Sequence, residues 1–145
     1  MKYSSYVDIN KPLGVVVDFY SDSNNLKKWQ DGFVKKEWIY GNPMDNGAVS
    51  KLYYSYGKRN MVLTETIISN RLPDSFEAEY HHKHMDNTMK CQFIPLDASR
   101  TRYMYEFEYT RMNWMPRLMA ILFPGMYRRQ GEKWMNQFKE QIEKQ

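Results

Sequence analysis

Alternating apolar and polar positions recur along most of the chain, and they predict a β-rich domain closed by one long helix. Lys2 to Ile9 alternates, with Tyr3, Ser5, Val7 and Ile9 on one side, and it ends at Asn10-Lys11-Pro12, where proline suits the first turn of a helix. Leu13, Val16, Val17 and Tyr20 then fall at helical spacing, and Ser21 or Asp22 is placed to cap a second short helix that runs to Trp29. Phe33 to Tyr40 reads as a second strand, whose inner face is not fixed because Trp38 and Ile39 are adjacent. Ala48 to Tyr56 and Met61 to Ser69 alternate as a hairpin pair. A tip at Lys58-Arg59 sets Tyr56 opposite Met61, Tyr54 opposite Leu63 and Leu52 opposite Glu65, which turns Glu65 inward. Phe76, Ala78, Tyr80 and His82 mark a fifth strand, with a turn at His84 to Asn87. Met89, Cys91 and Phe93 mark a sixth, with a turn at Pro95 to Ser99. Thr101 to Arg111 is the strongest strand, with Tyr103, Tyr105, Phe107 and Tyr109 on one face and charged or polar residues on the other.

From Asn113 to Gln145 the period changes to that of a helix. Tyr127, Gly131, Trp134, Met135, Phe138 and Ile142 form one stripe, opposite a face carrying Arg128, Glu132, Lys133, Lys139 and Glu140. Pro124-Gly125 predicts a kink or break between a short lead-in, Met115 to Phe123, and the main helix. The order is strand, two short helices, six hairpin-linked strands and a long helix. It implies an α+β fold in which a seven-stranded curved antiparallel sheet wraps around the C-terminal helix as a single domain over residues 1–145. A curved sheet does not close fully on one helix. A cavity is expected where inward side chains fail to meet, with Gly131 leaving additional room.

Composition sharpens this picture. Aromatic residues make up 16% of the chain and methionines number 11, so the interior is built of large, adaptable side chains. The net charge of +4 comes from dispersed basic residues, which argues against a nucleic-acid footprint. Cys91 is the single cysteine, which excludes an intrachain disulfide and points to a reducing cytoplasm. No apolar run has the length of a signal peptide or a membrane span, so stable membrane insertion is not expected.

The residues expected to line the cavity follow from the inward faces. They are Trp29, Leu52, Tyr54, Tyr56, Leu63 and Glu65 in the first half of the chain. Tyr80, Met89, Cys91, Tyr105, Phe107 and Tyr109 follow from the later strands, and Phe123, Tyr127, Gln130 and Trp134 from the closing helix and its lead-in. Trp29 and Trp134 are placed to close its ends. Glu65 is the candidate acid or base, since a carboxylate beside Leu52 and Leu63 would have a raised pKa. Its alternatives are a polar ligand contact or a pairing with an inward cation or tyrosine. The inward tyrosines outnumber the partners that Glu65, His82 and Gln130 offer, so water or a ligand is expected to meet the remainder. His81, His82 and His84, with Asp86 nearby, read as a solvated turn in preference to a metal site, and no metal or cofactor is expected. Cys91 has only His82 as an activating base in prospect and reads as core.

Several stretches, taken in order, resemble the START-like/Bet v 1-like (SRPBCC) superfamily with its helix-grip fold, in the bacterial polyketide-cyclase/dehydrase-like branch. They are Tyr6-Val7-Asp8-Ile9-Asn10-Lys11-Pro12, Asn24 to Gln30, the Gly47 turn and Glu65-Thr66-Ile67 leading to Leu72-Pro73. Phe93-Ile94-Pro95 and the closing Trp134 to Ile142 helix complete the series. The resemblance implies a hydrophobic ligand cavity, and the matched inward faces with their surplus of hydroxyls point to a small aromatic or lipid-like ligand, held by a monomer or homodimer. It leaves three activities open: non-covalent binding, a cyclase or dehydratase using Glu65 and inward tyrosines, or an interaction module similar to activators of the Hsp90 ATPase. Met112, Trp114, Met115, Leu118, Met119, Ile121, Leu122 and Phe123 are apolar on more than one side, so this lead-in covers the pocket, forms a dimer contact or touches a membrane surface.

Overall fold

The computed structural model describes all residues from Met1 to Gln145. Its elements are β1 (Lys2–Ile9), α1 (Leu13–Ser21), α2 (Leu26–Trp29), β2 (Phe33–Tyr40), β3 (Val49–Tyr56), β4 (Arg59–Arg71), β5 (Ser75–His81), β6 (Met85–Asp97), β7 (Arg100–Met112), α3 (Trp114–Leu122) and α4 (Met126–Glu143). A single 3-10 turn, Ser23–Asn25, joins α1 to α2, and the Asp22 carboxylate caps it by accepting from the Asn24 N–H at 2.9 Å. The seven strands form one antiparallel sheet in the order β1-β7-β6-β5-β4-β3-β2, which is the helix-grip arrangement. The first two strands lie at opposite edges, and α1 and α2 carry the chain between them.

Local irregularities bend the sheet. Register shifts lie between Phe33 and Lys35, Trp38 and Tyr40, Ile67 and Ser69, Asp86 and Asn87, and Pro95 and Asp97. Each bulge adds twist and curvature, so one face becomes concave. β6 runs on through Pro95 to Asp97 instead of turning at Pro95: Pro95 still pairs with Thr101, and the shift falls at Leu96, before Asp97 meets Arg100.

The β3–β4 register differs from the sequence expectation by two residues. Tyr56 pairs with Arg59, Tyr54 with Met61, Leu52 with Leu63 and Ser50 with Glu65, because the turn is the two-residue Gly57-Lys58, with Gly57 at φ +65°. A shift of two preserves the face, so Glu65 still points inward, but its cross-strand neighbour is Ser50 and not Leu52.

Helix α3 ends at Leu122 and α4 starts at Met126, the break falling at Pro124-Gly125, where Gly125 takes φ +81°. The C-terminal half of α4 plugs one end of the concave face. Met135, Phe138 and Ile142 are buried there, and the Phe138 ring lies 5.2 Å from Phe19, 5.2 Å from Tyr103 and 5.3 Å from Trp29. Ile9 and Val16, fully buried, belong to the same cluster. Only 22 of 145 residues are buried: a single sheet leaves its convex face to solvent, with Tyr6, Val62, Ile68 and Ile94 exposed, and the other end of the concave face is hollow.

Candidate functional site

The hollow end encloses a cavity of about 900 Å³ between the sheet, the first half of α4, α3 and the α1–α2 corner. That volume lies within the range of about 300–1,000 Å³ that ligand sites occupy. Of its 38 lining residues, 24 are hydrophobic. Arg59 and Asn60 at the start of β4, the β5–β6 turn at His82 to His84, and Met115 and Met119 of α3 ring the end away from the Phe138 plug.

Aromatic rings form two walls. On one, Trp134 stacks on Tyr54 at 5.9 Å and 18°, and Tyr54 lies parallel to Tyr56 at 6.4 Å and 2°. On the other, Phe107 stacks on Tyr3 at 5.6 Å and meets Tyr105 edge-on at 4.9 Å, while Tyr109 approaches Tyr127 at 5.2 Å. Such rings supply large apolar area with few rotatable bonds.

One polar cluster interrupts the apolar lining. The Lys36 ammonium lies 2.9 Å from Glu65 Oε1, with the two side chains only 8% and 7% exposed. Ser50 donates to the same oxygen at 3.3 Å, and the Tyr80 hydroxyl donates to Oε2 at 2.7 Å. Glu65 is therefore not a carboxylate in purely apolar company. Three of its roughly four acceptor positions are taken, and a buried cation compensates its charge. The Lys36 ammonium also lies 4.2 Å from the centre of the Trp38 ring. Burial first, and the neighbouring Glu65 charge second, push the Tyr80 phenol well above its ordinary pKa.

Fourteen of the sixteen lining positions expected from the sequence do line the cavity: all except Cys91 and Phe123. Cys91 is buried core, opposite Phe76 on β5 and within 3.5 Å of the Tyr20 hydroxyl. Burial pushes its thiol up to about 12, and His82 lies too far along the neighbouring strand to activate it. Phe123 lies outside, 51% exposed, beside a smaller surface cleft. Trp29 and Trp134 do not close opposite ends: their rings meet edge-on at 6.3 Å in one corner. Gly131 does not enlarge the void either. A Cβ there would sit 2.7 Å from the Tyr105 hydroxyl and 3.1 Å from that of Tyr3, so the glycine admits two phenols against the helix.

The tyrosine surplus is smaller than the sequence implies. Tyr54 donates to Gln30 at 2.7 Å, Tyr3 to the Tyr127 carbonyl at 2.9 Å and Tyr127 to the Pro116 carbonyl at 3.1 Å. Tyr105 O–H remains buried without a partner, as do the indole N–H groups of Trp29 and Trp134. His82 accepts instead from the His84 N–H, and His81 pairs with Asp86 at 2.6 Å. No group of three histidine, cysteine or acidic side chains is placed to hold a metal ion.

Lys36 and Gln30 are the site residues that sequence reasoning missed. Lys36 was hidden by the bulge between Phe33 and Lys35, which makes the inward positions of β2 fall at Phe33, Lys36 and Trp38. The signal available for it was Glu65 itself, since a buried carboxylate calls for a cation.

No protein-family model matches the sequence, and neither does any curated protein sequence. Solved structures do match over nearly the full length. Zhui aromatase/cyclase from Streptomyces sp. R1128 superposes with a TM-score of 0.81 at 11% identity, covering 99% of this chain and 94% of that one. A START superfamily protein from Mycobacterium smegmatis gives a TM-score of 0.74 at 14% identity, covering 97% and 98%. Ara h 8.0201 gives 0.75 at 9% identity, covering 100% and 99%. With strand order, plugging helix and cavity in place, the chain has the helix-grip fold that START-like proteins and aromatase/cyclases share.

Proposed function

We propose that the protein binds a small hydrophobic molecule, aromatic or lipid-like, in the cavity between sheet and α4, without covalent chemistry. The observation that carries this reading is the open-mouthed cavity of about 900 Å³ with its stacked aromatic walls. Flat rings of a ligand fit against Tyr54 and Trp134 on one side and Phe107 on the other, and acyl chains fit against the methionines Met61, Met85, Met89, Met115 and Met119. The polar cluster gives such a ligand one hydrophilic anchoring point at Lys36, Glu65 and Tyr80.

Similarity to aromatase/cyclases raises an acid–base enzyme as the rival reading. Against it stands the occupancy of Glu65, whose two oxygens already receive Lys36, Ser50 and Tyr80. Native mass spectrometry of protein purified from cells tests the proposal, with a bound mass that is released on denaturation as the expected result. If Glu65→Gln abolishes conversion of that molecule, the enzyme reading replaces this one; if it changes affinity alone, binding stands.

A further inference from the structure

Helix α3 is the element least used by the fold. Its inward side, Pro116 and Met119, faces the cavity, while the outward side is apolar. Trp114 is 72% exposed, Leu118 43%, Ile121 69% and Leu122 59%. These positions fall at i, i+4, i+7 and i+8 and make one contiguous face, which Phe123 extends past the end of the helix, while Met115 sits at its border with the cavity. Nothing else in the chain covers this face, and a patch of this kind marks an interaction surface.

Charge decides what fits it. No acidic residue occurs between Glu108 and Glu132, whereas Arg111, Arg117, Arg128 and Arg129 all do. Of these, only Arg111 and Arg128 are ion-paired, with Asp86 and Glu132. Arg117 is exposed on α3 between Trp114 and Ile121, and Arg129 is exposed on the first turn of α4. A symmetric contact between two copies through this face would bring arginines against arginines. An anionic lipid surface complements both features, accepting apolar side chains below its headgroups and arginines at their level. At nine residues α3 is about 13 Å long, which suits a helix lying in the interface plane. No helix of the chain is long and apolar enough to cross a membrane.

We propose that the outward face of α3, flanked by Arg117 and Arg129, docks the protein peripherally on anionic lipid bilayers. This goes beyond ligand binding and stands without it. Because α3 also roofs the cavity, docking places that opening against the bilayer.

Co-sedimentation with vesicles of phosphatidylcholine, alone or mixed with phosphatidylglycerol, tests the proposal. The wild-type protein is expected to bind the mixed vesicles, in a salt-sensitive manner, and to bind pure phosphatidylcholine far less. Ile121→Glu/Leu122→Glu and, separately, Arg117→Glu/Arg129→Glu should each lower binding by at least roughly tenfold with unchanged circular dichroism, since one pair removes buried apolar area and the other removes headgroup attraction. Absence of binding, equal binding to both vesicle types or retention of binding by either variant would overturn it. So would a wild-type dimer in sedimentation velocity that Ile121→Glu/Leu122→Glu dissociates, since the face would then belong to a second copy. None of these outcomes depends on a ligand in the cavity.

Discussion

Lys36 and Glu65 hold opposite charges in the wall of an otherwise apolar cavity, and the pair is stable only as a pair. Removing one partner leaves an uncompensated buried charge, so Lys36→Met should lower the unfolding free energy by about 3–5 kcal/mol. The double variant Lys36→Met/Glu65→Leu should recover most of that loss in urea denaturation, because two apolar groups then replace two charges. The inward direction of Glu65 was readable from period-two alternation, and it survived a register error of two residues. Its partner was not readable, because a bulge in β2 places Lys36 three residues after Phe33, out of step with any simple alternation. The tyrosines carry a second residue-scale consequence. Burial raises Tyr3 to about 12 and pushes Tyr20, Tyr80 and Tyr103 well above their ordinary range. The folded protein keeps these phenols neutral, whereas the unfolded chain ionises them near pH 10. Their contribution to stability is thus fully present below about pH 10 and lost as pH rises toward the folded values. Absorbance at 295 nm should show a cooperative alkaline step that coincides with loss of near-ultraviolet circular dichroism. Independent, gradual titration of all twelve tyrosines would contradict this.

Helix α4 divides into a solid half and a hollow half. Phe138 is the centre of the solid half, packed among Phe19, Trp29 and Tyr103. Phe138→Ala should cost about 3–5 kcal/mol by calorimetry or denaturant titration. Gly131 marks the hollow half. Gly131→Ala should destabilise by about 1–3 kcal/mol despite the better helix propensity of alanine, because its methyl group meets the Tyr105 hydroxyl. Tyr105→Phe in the same background should restore much of the loss, since it removes both the clash and an unpartnered buried hydroxyl. The stripe from Tyr127 to Ile142 announced this helix in the sequence, as Pro124-Gly125 announced its start. The stripe could not tell which of its members touch core and which face space, because helical periodicity reports a direction and not what lies opposite. Gly131 illustrates the limit: its missing side chain suggested a void, and two phenols fill it.

At the scale of the whole molecule, seven strands bent by bulges enclose more volume than one helix can fill. The Phe138 plug occupies one end, and the remaining space keeps its shape through ring stacking and the Lys36–Glu65–Tyr80 cluster. Element order and hairpin connectivity made the architecture legible from the sequence, since antiparallel neighbours joined by short turns leave few topologies. That the sheet curves was expected, but how strongly, and with it the size of the cavity, was not legible, because the degree depends on bulges that alternation conceals. The most direct test is a fluorescence titration with a planar aromatic probe such as 1-aminoanthracene. The central claim predicts saturable enhancement at one probe per chain, with energy transfer from Trp29 and Trp134 and displacement by a competing apolar ligand. Weak, unsaturable enhancement without energy transfer would show that the space between sheet and helix does not admit a ligand.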